Sequence, residues 1–513
     1  MSITENSVFV RFLLALWLGL RQAAGHSVPG RICDWLEAGC RRATRHSAVW
    51  NFFWREGRVP KAWPHSLACR LFTGLINLPC TILKAVYRAG RRVWDASLFC
   101  RLLGALGGAG FFFLGLFMLV MLMAPHERWN NLYGLLGAVA LTGLFVVGSA
   151  SRRTYRLELD TLGPYMTLYM AFICLALLGS LSTHLSLRFF AFHLTAFLLV
   201  LLAVSMVHKY EQLQLMVALA VVGLSVAALY GCYQGYIGVD IVPSQQDMTV
   251  NAGMPGRVYS FFDNPNNFAE QLEMLLPLDL ALFLNSRWRG KLLSLISLGL
   301  GVAAIGFTYS RSSWIGLTLA VVVFVALMNW RWLPVLLVLG LAAVPFLPET
   351  IYNRILTITN TQDSSTQYRF AIYDTTKNLM QDYWVRGVGL GTDVMKKVFL
   401  TYPTNFDGSY PIHTHNNYLQ MWGEAGIWGV LSFVGLLLWR LKTGVKAFYA
   451  ATDPRVRRML AAAIGAFCGI LLIGVAEYTW YYPRNMFTYW FLFGVIAACV
   501  KLARRPEETA ETA

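Results

Sequence analysis

The stretch "PIHTHNNYLQMWGEAGIWGV", residues 411–430, crowds His413, His415, Asn416 and Asn417 at the mouth of an apolar run. Histidine has an ordinary pKa of about 6.5, so at a water–membrane boundary it can take a proton from a hydroxyl at neutral pH. Glycines follow at Gly423, Gly426 and Gly429. On a helix that starts at His415, Gly426 lies about three turns down and nearly in line with it. Leu419, Trp422 and Gly429 share that stripe, and Glu424 faces the other way. The spacing predicts a glycine notch that lets a neighbouring helix approach closely in lipid and fixes where the histidine points. Plain packing glycines beneath an interfacial histidine fit the same pattern.

Three arginines stand in unusual settings: Arg257 in "GRVYSFFDNPNNFAE", Arg311 in "TYSRSSWIGL" and Arg369 in "TQYRFAIYD". Each falls at what the hydropathy pattern makes the outer end of a span, against the usual placing of basic residues inside. A guanidinium grips phosphate through a planar fork. Three of them above a membrane cavity suit a lipid-linked pyrophosphate, although any one alone also fits as an anchor to lipid headgroups.

The elements that must hold these residues are membrane helices. The chain has 513 residues, 56% hydrophobic and 14% charged, with a mean hydropathy of +0.50. That composition excludes an ordinary soluble protein and predicts an all-α polytopic membrane protein. About twelve spans of roughly 15–24 residues fall near 102–123, 130–149, 161–181, 188–207, 213–232, 266–284, 291–308, 312–328, 333–347, 416–439, 459–477 and 486–502. The net charge is +16, and the basic loops "SRRTYR", "HKYEQ", "NSRWRGK", "NWRW", "WRLKTGVKAFYAATDPRVRR" and "KLARR" all fall on one side. That side is cytoplasmic by the positive-inside rule, with both termini inside. The charge reflects orientation, and no nucleic-acid partner is expected.

Two long segments, 233–265 and 348–415, then lie outside. The second is too long for a passive connector and balances six Lys/Arg against six Asp/Glu. Residues 1–97 form a separate basic region rich in tryptophan, with fourteen Lys/Arg and five Asp/Glu. They read as helices lying on an anionic membrane surface. Residues 98–505 carry the spans, and 506–513 form an acidic tail. The nine cysteines show no CxxC pair and read as small buried hydrophobes.

Taken together, these motifs resemble the bacterial O-antigen ligase and O-antigen polymerase superfamily. "HNNYLQMWGEAGIWG" is similar to its signature of His-Asn, nine residues, then Gly-x-x-Gly. "RVYSFFDNPNNFA" looks like its Arg-…-Asn-Pro-Asn segment, "YSRSSWIGL" like its Ser-Arg segment, and "YRFAIYDTTKNLMQDYWVRGVGLGT" like its external Arg-…-Gly-x-Gly-x-Gly stretch. The resemblance covers about 250–435 in order, and the span layout extends it to 100–505. It implies a membrane glycosyltransferase of the inner (cytoplasmic) membrane, active on the external, periplasmic side. The donor would be a glycan on polyprenyl (undecaprenyl) pyrophosphate, and the acceptor a lipid such as lipid A–core, or another glycan. His415 would take the acceptor proton, and Arg257, Arg311 and Arg369 would hold the pyrophosphate. Asn264, Asn266 and Asn416 would bond sugar hydroxyls, and Gly426 and Gly429 would be the packing signature. No metal and no cofactor are implied, because arginines take the charge-neutralising role.

A repeat-unit polymerase of the same superfamily is the alternative. The paired external Arg-rich motifs common in polymerases are not evident, which favours a ligase. A transporter of lipid-linked glycans is a reading from another class. It calls for internal repeats or charged mid-membrane helices, for which Glu477 and Asp279 are the candidate acids.

Overall fold

The computed structural model describes residues 27–152, 154–242, 253–359, 364–402 and 411–504. The apolar run at 8–22 and the acidic tail 506–513 lie outside these residues. The described chain consists of helices and turns, and it divides into two compact units, Met1–Lys61 and Ala62–Ala513.

In the first unit, α1 (Val28–His46) is capped by Ser27, whose Oγ accepts the Gly30 N–H at 3.1 Å, and α2 (Ala48–Trp54) is capped by Ser47 in the same way. Such side-chain acceptors satisfy the free N–H groups of a first turn. Val28, Ile32, Trp35 and Leu36 leave one face of α1 apolar and exposed. Trp50 and Trp54 stack with ring centroids 5.5 Å apart.

The second unit opens with a bent pair, α3 (Leu67–Ile76) and α4 (Leu78–Ala89), inclined at 57°. Asn77 at the bend exchanges hydrogen bonds of 2.9 and 2.7 Å with the backbone of Leu157, and Lys84 donates to the Tyr155 carbonyl at 2.6 Å. A second bent pair follows, α5 (Leu98–Gly108) and α6 (Gly110–Met123). Then come α7 (Leu132–Ser149), α8 (Leu159–Leu178), α9 (Thr183–Met206), α10 (Tyr210–Ile237), α11 (Pro265–Asn285), α12 (Trp288–Phe307), α13 (Arg311–Asn329) and α14 (Leu333–Ala343). Three helices that are not candidate spans succeed them: α15 (Glu349–Leu356), α16 (Ser364–Tyr383) and α17 (Thr392–Phe399). The bundle closes with α18 (Asn417–Ala450), α19 (Pro454–Ile473) and α20 (Pro483–Arg504).

Among the described residues, nine helices are long and apolar enough to cross a membrane, or up to eleven if each bent pair is one span. Three segments account for the difference from the twelve expected. The pair α5–α6 is bent; α11 carries the buried acids Glu270, Glu273 and Asp279; and Arg311–Phe346 counts as one apolar stretch of 36 residues. A straight helix of that length would be about 54 Å long. Instead, Thr350 just past its end meets the Tyr309 hydroxyl at 3.1 Å, just before its start. The stretch therefore goes down and returns, as the separate spans 312–328 and 333–347 require.

The two ends of the bundle differ in chemistry. At one end, Arg455 bonds Glu211 and Asp453 at 2.8 and 2.9 Å, its carbonyl accepts from Asn285, and Lys501 bonds Glu158 at 2.8 Å. These contacts draw the basic loops together. The long segments after α10 and α14 gather at the other end, where α20 helps to tie them down. Its Arg484 donates to the carbonyls of Ala124 at 2.6 Å and Phe261 at 2.9 Å.

Candidate active site

Arg257 precedes α11 in an irregular segment and is 9% exposed. Its Nε donates to the Thr308 carbonyl at 2.7 Å and a terminal nitrogen to Asn266 Oδ1 at 2.5 Å. Asn264 caps α11 through the Asn266 N–H. The sequence places Pro265 at the first helical position, where a missing N–H costs nothing. The "NPNN" motif thus builds the helix start that aims Arg257. Asn264 and Asn266 are engaged in that task.

Arg311 begins α13 after a tight turn in which Tyr309 has φ of 50°. It donates to the Thr357 carbonyl at 2.7 Å, so α15 folds back over the turn. That brings in Arg354, which sequence reasoning missed; it is buried and donates to the Tyr309 carbonyl at 3.4 Å. Arg369, on α16, bonds Glu477 Oε1 at 2.5 Å. The charges acting most strongly on Arg257 are Arg354, Glu477, Arg311 and Arg369, in that order. Burial, followed by Arg354, pushes Arg257 down to about 9, which leaves it cationic at neutral pH. The three arginines singled out in the sequence therefore converge, and a fourth joins them.

His415 lies just before α18 in a left-handed conformation, φ 47°. For a non-glycine residue this costs about 1–2 kcal/mol, and surrounding contacts must hold it. Three do so. Its N–H donates to His413 Nδ1 at 3.2 Å, its carbonyl accepts from the Tyr373 hydroxyl at 3.3 Å, and its ring Nδ1 lies 3.5 Å from Glu477 Oε2. The ring is 26% exposed, and Nε2 has no hydrogen-bond partner among the described residues. His413 is half-buried beneath it against Tyr478 and Tyr481. Burial holds His413 down to about 3, with the His415 charge next in effect. His413 thus supports the turn as a neutral ring, its Nδ1 already accepting.

The sequence places Glu477 near the end of the span 459–477, as a candidate buried acid. It sits instead in the loop 474–482 between α19 and α20, outside the spans. Burial would raise its pKa, but Arg369 first and then His415 hold it at about 2. The loop is tied to the histidine turn. Asn417 exchanges bonds of 2.8 and 2.9 Å with Thr479, and Asn416 donates to the Val475 carbonyl at 2.7 Å. Asn416 also caps α18 by accepting from Tyr418 and Leu419.

The glycine stripe differs from its expected form. The helix begins at Asn417, not His415, and breaks at Gly426, where φ is 69°. His415 and Gly426 are therefore not aligned on one continuous helix. At Gly426 the notch receives an irregular, glycine-rich stretch of chain, and at Gly423 it meets Met395 of α17. The Val388 and Gly389 N–H groups donate to the carbonyls of Gly423 and Glu424 at 2.8 and 3.1 Å, and Ile427 N–H donates to Trp384. The "GVGLG" segment thus takes over backbone bonds that the break leaves open. A Cβ on Gly426 would lie 2.0 Å from the Val385 carbonyl oxygen, so only glycine fits. Leu181 N–H and Ser186 Oγ hold the far side of the segment at Val388 and Leu390.

Residues 280–434 match the family described as O-antigen ligase. The match takes in Arg311, Arg354, Arg369, the glycine segment and His415, with Arg257 before it and Glu477 after it. Over these residues the chain is similar to that family. No curated protein matches the chain.

Proposed function

We propose that this O-antigen ligase-like chain moves a glycan from a polyprenyl pyrophosphate to a lipid- or glycan-bound acceptor on the outer side of the bacterial inner membrane. The observation that carries the reading is the convergence of Arg257, Arg311, Arg354 and Arg369 beside the open Nε2 of His415. The acceptor oxygen attacks the anomeric carbon, and the bond from that carbon to the pyrophosphate oxygen breaks. The hydroxyl proton passes to His415 Nε2. The leaving pyrophosphate gains negative charge, which preorganised guanidinium groups stabilise without rearranging at the moment of reaction. The fixed turn at His415 supplies orientation, which is worth as much as the base itself when two large glycans must meet.

The basic loops, which gather at the opposite end of the bundle, support placing the site on the outer side. A ligase reading is preferred, with a lipid acceptor. The test is transfer by the purified full chain in detergent, supplied with a polyprenyl pyrophosphate-linked glycan and a lipid acceptor. Glycan on the acceptor is expected. Longer chains that stay on the polyprenyl carrier would mark a polymerase. No product in detergent, together with movement of donor across sealed vesicles, would mark a transporter and overturn the enzyme reading.

A further inference from the structure

We infer that Glu477 is a positioning residue for the transfer: its one carboxylate sets the tautomer and direction of His415 with one oxygen and anchors Arg369 with the other. This rests on His415 being the base. Oε1 meets Arg369 at 2.5 Å and Oε2 lies 3.5 Å from His415 Nδ1. An arginine and a carboxylate paired only with each other favour a two-pronged contact that uses both oxygens. Here the oxygens are divided between two partners on different elements, α16 and the turn before α18.

The chemistry of the division is specific. An ionised carboxylate only accepts, so His415 Nδ1 must carry the hydrogen. In a neutral imidazole the other nitrogen, Nε2, is then the bare acceptor that faces the open mouth. A histidine with the opposite tautomer presents an N–H there and cannot take a proton. As the hydroxyl proton arrives at Nε2, the ring becomes cationic beside a fixed negative charge. Catalytic and metal-binding histidines use second partners in this way.

Other charges face the pair. His413 lies below the His415 ring at 4.2 Å between centroids, and Tyr368 and Tyr373 approach from α16. Arg257 acts on Glu477 from the segment before α11, and Glu270 from α11 itself. Of these groups, Glu477 is the one placed to accept from the His415 ring. The shared carboxylate also links the two halves of the site: drawing Arg369 towards a pyrophosphate leaves more of the negative charge to His415, so donor binding strengthens the base.

The test uses the purified full chain with Glu477→Gln and Glu477→Asp, each also made in His415→Ala, with turnover followed against donor concentration and pH. Glu477→Gln should lower kcat by about 10²-fold, with a much smaller change in donor KM. The pH below which its rate falls should move lower, because the charge that favours the protonated ring is gone. Glu477→Asp should keep that pH and recover part of the rate. In His415→Ala the glutamine change should cost almost nothing further, as residues acting through one group are non-additive. An equal loss in both backgrounds, an unmoved acid limb, or a rise in KM with kcat intact would overturn the inference. A readout independent of transfer is the rate at which diethyl pyrocarbonate modifies His415, followed by mass spectrometry against pH. Its midpoint should fall in Glu477→Gln, and an unchanged midpoint refutes the pairing. If the wild-type chain transfers nothing, the proposed function fails while this titration still decides the role of Glu477.

Discussion

At the basic end of the bundle, charges are matched locally. Arg455 has Asp453 and Glu211, and the buried Lys501 has Glu158. At the outer end, the groups acting most strongly on Arg257 are three arginines and a single carboxylate, and that carboxylate is shared with a histidine. The first arrangement pairs each cation with an acid. The second gathers like charge in a half-dry site, which raises the energy of the empty protein and lowers it again when a polyanion binds. The contrast separates cations paired within the fold from a cluster of like charge.

The largest effect expected is on turnover at the outer end. His415→Ala should lower transfer by about 10²–10⁴-fold, the usual contribution of a general base, at normal protein level in the membrane. Near-normal transfer would leave both ends of the molecule merely structural. At the basic end the same size of perturbation should show in stability instead. Lys501→Met removes the cation paired with the buried Glu158, while Thr161 still donates to that carboxylate, and should cost about 3–5 kcal/mol, read as a lower thermal midpoint in detergent, with unchanged turnover per folded molecule. A loss of turnover without a loss of stability would erase the distinction.

Arg354→Lys tests the member of the cluster that the sequence hides. Charge is kept but the fork is lost, so transfer should fall about 10–100-fold, the worth of one charged hydrogen bond. Arg257→Lys and Arg369→Lys should behave alike. Wild-type rates in all three would remove the clamp. A smaller effect concerns His413. Its native pKa of about 3 lies below the ordinary 6.5, so from pH 6.5 downward the unfolded chain takes up a proton that the native one refuses. Stability should therefore fall with acidity between about 6.5 and 3, by at most about 1.4 kcal/mol per pH unit. His413→Gln should flatten that part of the melting curve. Finally, in a cysteine-free background, Lys397→Cys should react with an impermeant label from outside and Tyr449→Cys should not; the reverse pattern would exchange the two ends.

Much of this was legible in the sequence because membrane helices announce themselves locally, through length, apolarity and flanking charge. His415, Arg257, Arg311 and Arg369 could be found because they sit in motifs at span ends. Arg354 could not, because "ETIYNRIL" reads as an ordinary short helix and only its return to Tyr309 gives it a role. Glu477 carried the right signal, an acid near a span end, but its partners are 62 and 108 residues away. Gly426 was noticed for the right reason, close approach, and assigned the wrong neighbour. Helix periodicity assumes continuity, and a single left-handed residue ends it.

The inserted glycine segment also sets an order of events during synthesis. Ser186 and Leu390, which bond across it, are 204 residues apart. At about 5–20 residues per second, the start of α9 waits on the order of 10–40 s for its partner to be translated. His415 and Glu477 come later still. A ribosome that stalls in this interval leaves a chain already threaded into lipid but without the histidine turn and the loop that pairs with it.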